Sequence, residues 1–95
     1  MTAAATKPTR DAAHFLRIAT LYENDAFRPG IEWALGRIPP GWFISHFSDD
    51  GPRGQIYCKL SNRHHAEDVD SVGAPTRAAA IAAAALRAMA REVGR

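Results

Sequence analysis

The chain has 95 residues, enough for one domain with a single hydrophobic core and too few for a second. Its formal net charge of +2 is well below the dense Lys/Arg clustering of a dedicated nucleic-acid-binding protein. One cysteine excludes an internal disulfide, and no apolar run is long enough to cross a bilayer, so the composition predicts a protein of the cytoplasm that makes no membrane contact.

The first eight residues carry no large side chain that a core would bury. We expect residues 1–8 to form a disordered tail, because order at a chain terminus depends on contacts that small and polar side chains do not supply. The remaining residues, 9–95, are then expected to form one folded domain.

The first predicted helix covers residues 10–25, with Thr9 or Asp11 as its N-cap. Its apolar residues recur at helical spacing, and Glu23 is the single lapse in that pattern. A short second helix over residues 31–36 follows an Arg-Pro-Gly break and ends before two prolines and a glycine.

At Trp42 the period of the sequence changes from helical to alternating. Alternation over residues 42–47 puts Phe43 and Phe47 on one side of a strand and Trp42 and Ile44 on the other. Apolar side chains on both sides predict a central strand, or a strand covered by helices above and below.

Two further strands are predicted after a polar hairpin loop at residues 48–54. The second strand, residues 55–60, alternates so that Cys58 and its apolar neighbours point inward. A polar loop at residues 61–67 leads to a short third strand at residues 68–72, whose acidic side chains suit an exposed sheet edge.

Aromatic residues are the expected source of bulk in the core. Hydrophobic residues make up 46% of the chain, but many are alanines and only 8% of all residues are aromatic. The core candidates are Phe15, Tyr22, Phe27, Trp33, Trp42, Phe43, Phe47 and Tyr57.

The last element is an alanine-rich helix over residues 75–93, since alanine is the best helix former. Pro75 suits the first helical position and Gly94 can end the helix. The predicted buried face consists of Ala78, Ile81, Ala82, Ala85, Leu86, Met89 and Val93. The elements together predict an α+β fold class: a small three-stranded, mainly antiparallel sheet with the N-terminal helix and the alanine-rich helix packed on it, in the order α-α-β-β-β-α.

A basic stripe is predicted on another side of the same helix. Its arginines are Arg77, Arg87, Arg91 and Arg95, and Ala80, Ala84 and Ala88 separate them. Such a stripe can lie along phosphates or an acidic partner. The alternative is a solvated face that keeps an alanine-rich helix soluble.

No motif for catalysis, a metal or a cofactor is found in the sequence. His64 and His65 are adjacent and point to opposite sides of an extended backbone, so they are poorly placed to share one ion. Cys58 and His46 are the one nucleophile and base that the hairpin can bring close, but an inward cysteine is expected to be inert. We therefore expect a protein that is not an enzyme.

The order of helix, three strands and alanine-bearing helix is that of the double-stranded RNA-binding domain, and residues 73–79 resemble the start of that family's last helix. The family recognises phosphates with lysines clustered at this point, whereas Arg77 stands alone here. This resemblance implies nucleic-acid binding through Arg77, Arg87 and Arg91.

A second resemblance, over about residues 31–90, is to small phage and prophage proteins grouped as the phage ABA sandwich family. It is carried by the Pro-Gly-Trp-Phe-Ile start of the sheet at residues 40–44, by the Asp-Asp-Gly loop at residues 49–51, and by Ala-Pro followed by the alanine-rich helix at residues 74–86. The resemblance implies helices packed on a small sheet, a phage or prophage origin in a bacterial host cell, and no catalytic residues.

The expected function is non-enzymatic binding of a host or phage protein, for example inhibition of a host defence system. The candidate contact residues are Arg77, Arg87, Arg91, Asp49, Asp50, Arg53, Arg63, His64 and His65. The alternative is nucleic-acid binding through the basic stripe. A homodimer is a third possibility, because an alanine-rich helix with Trp33 or Trp42 exposed nearby can form an isologous interface.

Overall fold

The predicted α+β fold class and the element order α-α-β-β-β-α are confirmed by a computed structural model of the chain. The structure describes residues 2–49 and 51–94, of which residues 2–10 and 52 are described through their backbone alone. The helices are α1 (Thr2–Glu23), α2 (Ile31–Leu35) and α3 (Arg77–Val93), and the strands are β1 (Trp42–Ser48), β2 (Tyr57–Asn62) and β3 (Asp68–Asp70). A 3-10 turn, Pro52–Gly54, lies in the hairpin loop.

Helix α1 begins earlier than expected, at Thr2 instead of near residue 10. The predicted tail over residues 1–8 includes Met1, which lies outside the described residues, and its disorder in solution stays a prediction. In the part of the chain that the structure describes, no helix has the length and hydropathy needed to cross a membrane. The cytoplasmic location also stays a prediction.

The sheet is an antiparallel meander in the order β1-β2-β3, so β2 is the central strand and β1 is an edge strand. Of the two alternatives predicted for β1, the central position is therefore wrong. Cys58 and Leu60 on β2 are buried as predicted, and β3 is an edge strand with exposed acidic residues at both ends.

A β-bulge explains why the alternation of β1 misled the prediction. The register shifts between Ile44 and His46, so that Ile44 lies opposite Leu60 and Phe47 lies opposite Cys58. Both partners are buried and face the core side of β2, which places Phe47 on the same side as Ile44. One extra residue in the strand thus moves Phe47 to the face opposite the predicted one.

Helix α3 is the centre of the core and is buried on all sides. Every residue from Ala78 to Leu86 is buried, as are Ala88 and Ala90. Strands β2 and β3 pack against one side of the helix, and α1 and α2 pack against others. The alanines predicted to lie between exposed arginines therefore lie in the core, because a helix surrounded by other elements needs apolar residues all round.

Small side chains make this arrangement possible, since they let neighbouring elements approach the α3 backbone closely. We expect Ala84→Leu to destabilise the protein by about 1–3 kcal/mol, because Ala84 is fully buried and the added carbons have no space. The control is Ala13→Leu at an exposed position of α1, which should change the free energy of unfolding by about 0.5 kcal/mol or less. Equal effects in urea unfolding would contradict the close packing.

The aromatic residues lie mostly at the periphery of this alanine core. Of the eight predicted core aromatics only Trp42 is buried, and Phe27, Trp33, Phe43 and Phe47 are exposed. The prediction of an aromatic core is therefore wrong. The reason is that α3 itself fills the space between the sheet and α1, and its alanines leave little volume for rings.

Glu23, the polar residue in the apolar pattern of α1, connects three parts of the fold. Its carboxylate accepts hydrogen bonds from Arg87 Nη2 at 2.7 Å, from Arg87 Nε at 3.0 Å and from the Val72 backbone N–H at 2.8 Å. The side chain of Glu23 is 6% exposed and that of Arg87 is 22% exposed. This bidentate pair fixes the end of α1 against α3 and against the segment after β3.

Candidate functional site

The described arginines of the basic stripe each lie beside a carboxylate. Arg87 pairs with Glu23, Arg91 Nη1 lies 3.2 Å from Glu67 Oε2, and Arg77 Nη2 lies 3.6 Å from Asp49 Oδ2. Arg95 lies outside the described residues. The guanidinium groups of the stripe are thus paired, and the pair made by Arg87, the most buried of them, stabilises the fold.

The other candidate residues are divided between opposite ends of the sheet. Asp49 and Arg53 lie in the loop between β1 and β2, and Asp50 is outside the described residues. Arg63 and the two histidines that follow it lie in the loop between β2 and β3, at the other end of β2. Because β2 spans about 20 Å at roughly 3.3 Å per residue, the two loops do not form one site.

Local contacts account for the conformation of the second loop. Asn62 Oδ1 accepts hydrogen bonds from the backbone N–H of His64 at 2.7 Å and of His65 at 3.2 Å, which is a side-chain turn. The Arg63 guanidinium lies 5.3 Å from the centroid of the Phe43 ring. These residues are exposed, and their contacts are those of an ordered surface loop.

Cys58 and His46 do not form a catalytic pair. Cys58 lies opposite Phe47 on the core face, whereas His46 lies opposite Lys59 and so faces the other side of the sheet. Burial, with a smaller contribution from the charge of Asp70, raises the pKa of the Cys58 thiol from its ordinary value of 9.0 to about 11. Within residues 2–49 and 51–94 there is also no group of three or more side chains that could hold a metal ion.

The raised pKa of Cys58 predicts a specific pH dependence of stability. The thiol loses its proton more easily in the unfolded chain, so its contribution is fully present below pH 9 and is lost as the pH rises towards 11. The full loss of unfolding free energy is roughly 2–3 kcal/mol for a pKa that rises from 9.0 to about 11. Urea unfolding of the wild type between these pH values should show a steeper decline than unfolding of Cys58→Ala, and identical slopes would contradict the burial of the thiol.

A group of three aromatic side chains, one partly buried and two exposed, lies between the end of α1 and α2, and we call it the aromatic surface. It consists of Tyr22, Phe27 and Trp33. The centroid of the Tyr22 ring lies 5.3 Å from that of Phe27 and 5.9 Å from that of Trp33. Phe27 is 48% exposed and Trp33 is 45% exposed. With Ala26, Arg28 and Pro29, the three rings line a shallow cavity of about 430 Å³.

The chain around the aromatic surface explains its position. After α1, Asp25 adopts a left-handed conformation with φ of 63°, and its carboxylate pairs with Arg28 at 2.8 Å. Helix α2 then docks through Ala34, which is fully buried against α3. Because only one residue of this five-residue helix is buried, Trp33 stays on an open side.

The polar atoms of the aromatic surface differ from those of the other Trp and Tyr side chains in their hydrogen bonds. Trp42 Nε1 donates to Glu92 Oε2 at 2.8 Å and Tyr57 OH donates to Gln55 Oε1 at 3.2 Å. For Tyr22 OH and Trp33 Nε1, by contrast, the described residues provide no hydrogen-bond partner. The aromatic surface therefore offers two free donors next to exposed rings.

Positive charge borders this surface. The Arg37 guanidinium lies 5.2 Å from the centroid of the Trp33 ring, within the range of a cation–π contact. Arg28 is among the residues that line the cavity, and its guanidinium is paired with Asp25. No carboxylate is found among the described residues that line the cavity. The surface thus suits an apolar group with a neighbouring negative charge.

The sequence contained one signal for this surface that the prediction did not use. Three large apolar residues, Ile31, Trp33 and Leu35, fall within a helix of five residues. A helix of that length has one narrow face to bury, so most of its large residues must stay open. All three are close to half exposed.

Comparison of the chain with protein-family models, with curated proteins and with solved structures gave no match. The resemblance to the phage ABA sandwich family over residues 31–90 therefore stays a prediction, as does that to the double-stranded RNA-binding domain. Function has to be inferred from the surface of this molecule.

Proposed function

We propose that this protein is a non-enzymatic protein-interaction domain and that the aromatic surface is its contact site. The observation that carries the proposal is the half-exposed pair Phe27 and Trp33, each in ring contact with Tyr22. Contiguous exposed apolar patches bordered by polar residues mark interaction sites on soluble proteins. The site differs from the residues that the sequence predicted.

The chemical composition of the aromatic surface supports the proposal. Trp, Tyr and Arg are the residue types that dominate the binding energy of protein interfaces, and all three occur among the residues that line this cavity. Aromatic side chains also lose little conformational entropy when they are covered.

The rigidity of the surroundings supports it as well. The Glu23–Arg87 pair holds the end of α1, and Ala34 holds α2 on α3. A surface that is already ordered costs less free energy to bind than one that must be ordered first.

The ion pairs of the basic stripe favour a protein partner over nucleic acid. Neutralised arginines release fewer counterions from a phosphate backbone, and this release supplies most of non-specific nucleic-acid affinity. The phage or prophage origin and the role as an inhibitor of a host system stay predictions.

The test is capture of partners by the immobilised protein from a lysate of its source organism. We expect bands that the wild type retains and that Phe27→Ser/Trp33→Ser loses. The matched control is Leu16→Ser, which removes a similarly exposed apolar side chain elsewhere on α1 and should capture the same bands as the wild type. Bands that persist in the double variant, or no specific band at all, would overturn the proposal.

A further inference from the structure

We propose that the aromatic surface binds an extended, proline-rich segment that carries a carboxylate, in the polyproline II conformation. This inference rests on the proposed function and names the partner of the same site. It is carried by the contacting rings, by the two free donors and by the charge around the cavity.

The free donors restrict the backbone conformation of the partner. When a partner covers Tyr22 OH and Trp33 Nε1, it must supply acceptors, because a donor that is desolvated without a partner weakens binding. A helix or a paired strand uses its own carbonyl groups internally. A polyproline II segment makes no internal hydrogen bonds and leaves all of its carbonyls free.

The shape and lining of the cavity favour proline side chains. The cavity is open and shallow, and three rings together with Pro29 form most of its wall. Proline-rich segments dock on grooves lined by aromatic residues, and their stiff backbone loses little entropy on binding. An amphipathic helix would instead need a long groove that fits several turns.

The charges distinguish this partner from a cationic one. Exposed aromatic groups can also bind a methylated ammonium group. In this cavity, however, Arg37 already lies over the Trp33 ring, none of the described lining residues carries a carboxylate, and the carboxylate of Asp25 is paired with Arg28 at 2.8 Å. A second cation would be repelled by Arg37, whereas a carboxylate on the segment would be attracted to it.

The test is an NMR titration that follows the two indole N–H signals of the intact protein. The probes are three ten-residue peptides: prolines with two glutamates, prolines with two lysines, and a glycine-serine peptide with two glutamates. We expect the glutamate-proline peptide to shift the Trp33 signal saturably and to leave that of Trp42 unchanged, because Trp42 is buried. The lysine-proline peptide lacks the carboxylate that contacts an arginine, and the glycine-serine peptide lacks the prolines that contact the rings. Each should therefore bind about tenfold more weakly or not at all.

One conservative variant tests a donor while keeping its ring, and the Trp33 indole signal still reports binding in it. Tyr22→Phe should weaken binding of the glutamate-proline peptide by about fivefold, the value of one hydrogen bond. Tyr22→Phe should leave thermal unfolding unchanged, so the loss would not come from the fold. Wild-type affinity in this variant would overturn the role of the Tyr22 donor and with it the polyproline assignment.

The outcomes separate this inference from the proposed function. If the glutamate-proline peptide causes no saturable shift while protein capture still depends on Phe27 and Trp33, the polyproline assignment is wrong and the interaction surface stands. If capture also fails, the proposed function falls. A dimer in sedimentation equilibrium that Trp33→Ser abolishes would identify a second copy as the occupant and would likewise overturn the polyproline assignment.

Discussion

Replacement of Glu23 by alanine should destabilise the protein by about 3–5 kcal/mol, the cost of removing one partner from a buried ion pair. The change leaves the guanidinium of Arg87, whose side chain is 22% exposed, without its bidentate partner. It also removes the acceptor of the Val72 backbone N–H. The measurement is the free energy of unfolding from urea titration.

An exposed ion pair provides the control for this variant. Arg77 and Asp49 lie 3.6 Å apart with side chains that are mostly solvent-exposed. Arg77→Ala should therefore change stability by about 1 kcal/mol or less. If Glu23→Ala were as mild as Arg77→Ala, Glu23 would not be holding α1 against α3.

Replacement of Trp42 by alanine should cost about 3–5 kcal/mol, the range for truncating a large buried aromatic residue. Trp42 is 5% exposed and belongs to the main core cluster. Its indole N–H also donates to Glu92 on the last turn of α3. The variant thus loses both packing and the link between β1 and α3.

The second tryptophan is a matched control for the first. Trp33→Ala removes the same side chain from an exposed position and should cost about 1 kcal/mol or less, the approximate value of its cation–π contact with Arg37. Thermal or urea unfolding of both variants gives the comparison. Similar losses at the two positions would mean that Trp33 belongs to the core.

The elements that local chemistry determines could be predicted from the sequence. Helix α3 was expected over residues 75–93 and is found at Arg77–Val93, with the Thr76 hydroxyl accepting from the Ala79 N–H at 3.1 Å as its cap. Helix α2 and the strands were also placed within a few residues. Helix propensity, caps and Pro/Gly breaks act over short distances, so they can be read from the sequence.

The surroundings of α3 could not be predicted in the same way. Alanine is tolerated both in a core and on a surface, so a run of alanines does not show which sides of a helix are covered. Glu23 illustrates the same limit, because its partner Arg87 is 64 residues away in the chain. A polar residue in an apolar pattern looks like a surface residue until its partner is known.

The candidate site was missed for a related reason. Aromatic residues usually fill a core, and apart from the three large apolar residues in the short helix α2 nothing local distinguishes Trp33 from Trp42. The difference arises because Ala34 is the residue of α2 that docks on α3, while Trp42 begins a strand whose core face the helix covers. The β-bulge in β1 likewise has no signal in the sequence, because no glycine or proline accompanies it.

An alanine-rich helix forms the core of this fold and leaves Phe27 and Trp33 of the aromatic surface exposed to solvent. The most direct test is the broadening of the two indole N–H signals by a soluble, inert paramagnetic agent in one sample, with Trp33→Phe used to assign them. We expect strong broadening of the Trp33 signal and protection of the Trp42 signal. Equal protection of both signals, or the reverse order, would contradict this arrangement of core and surface.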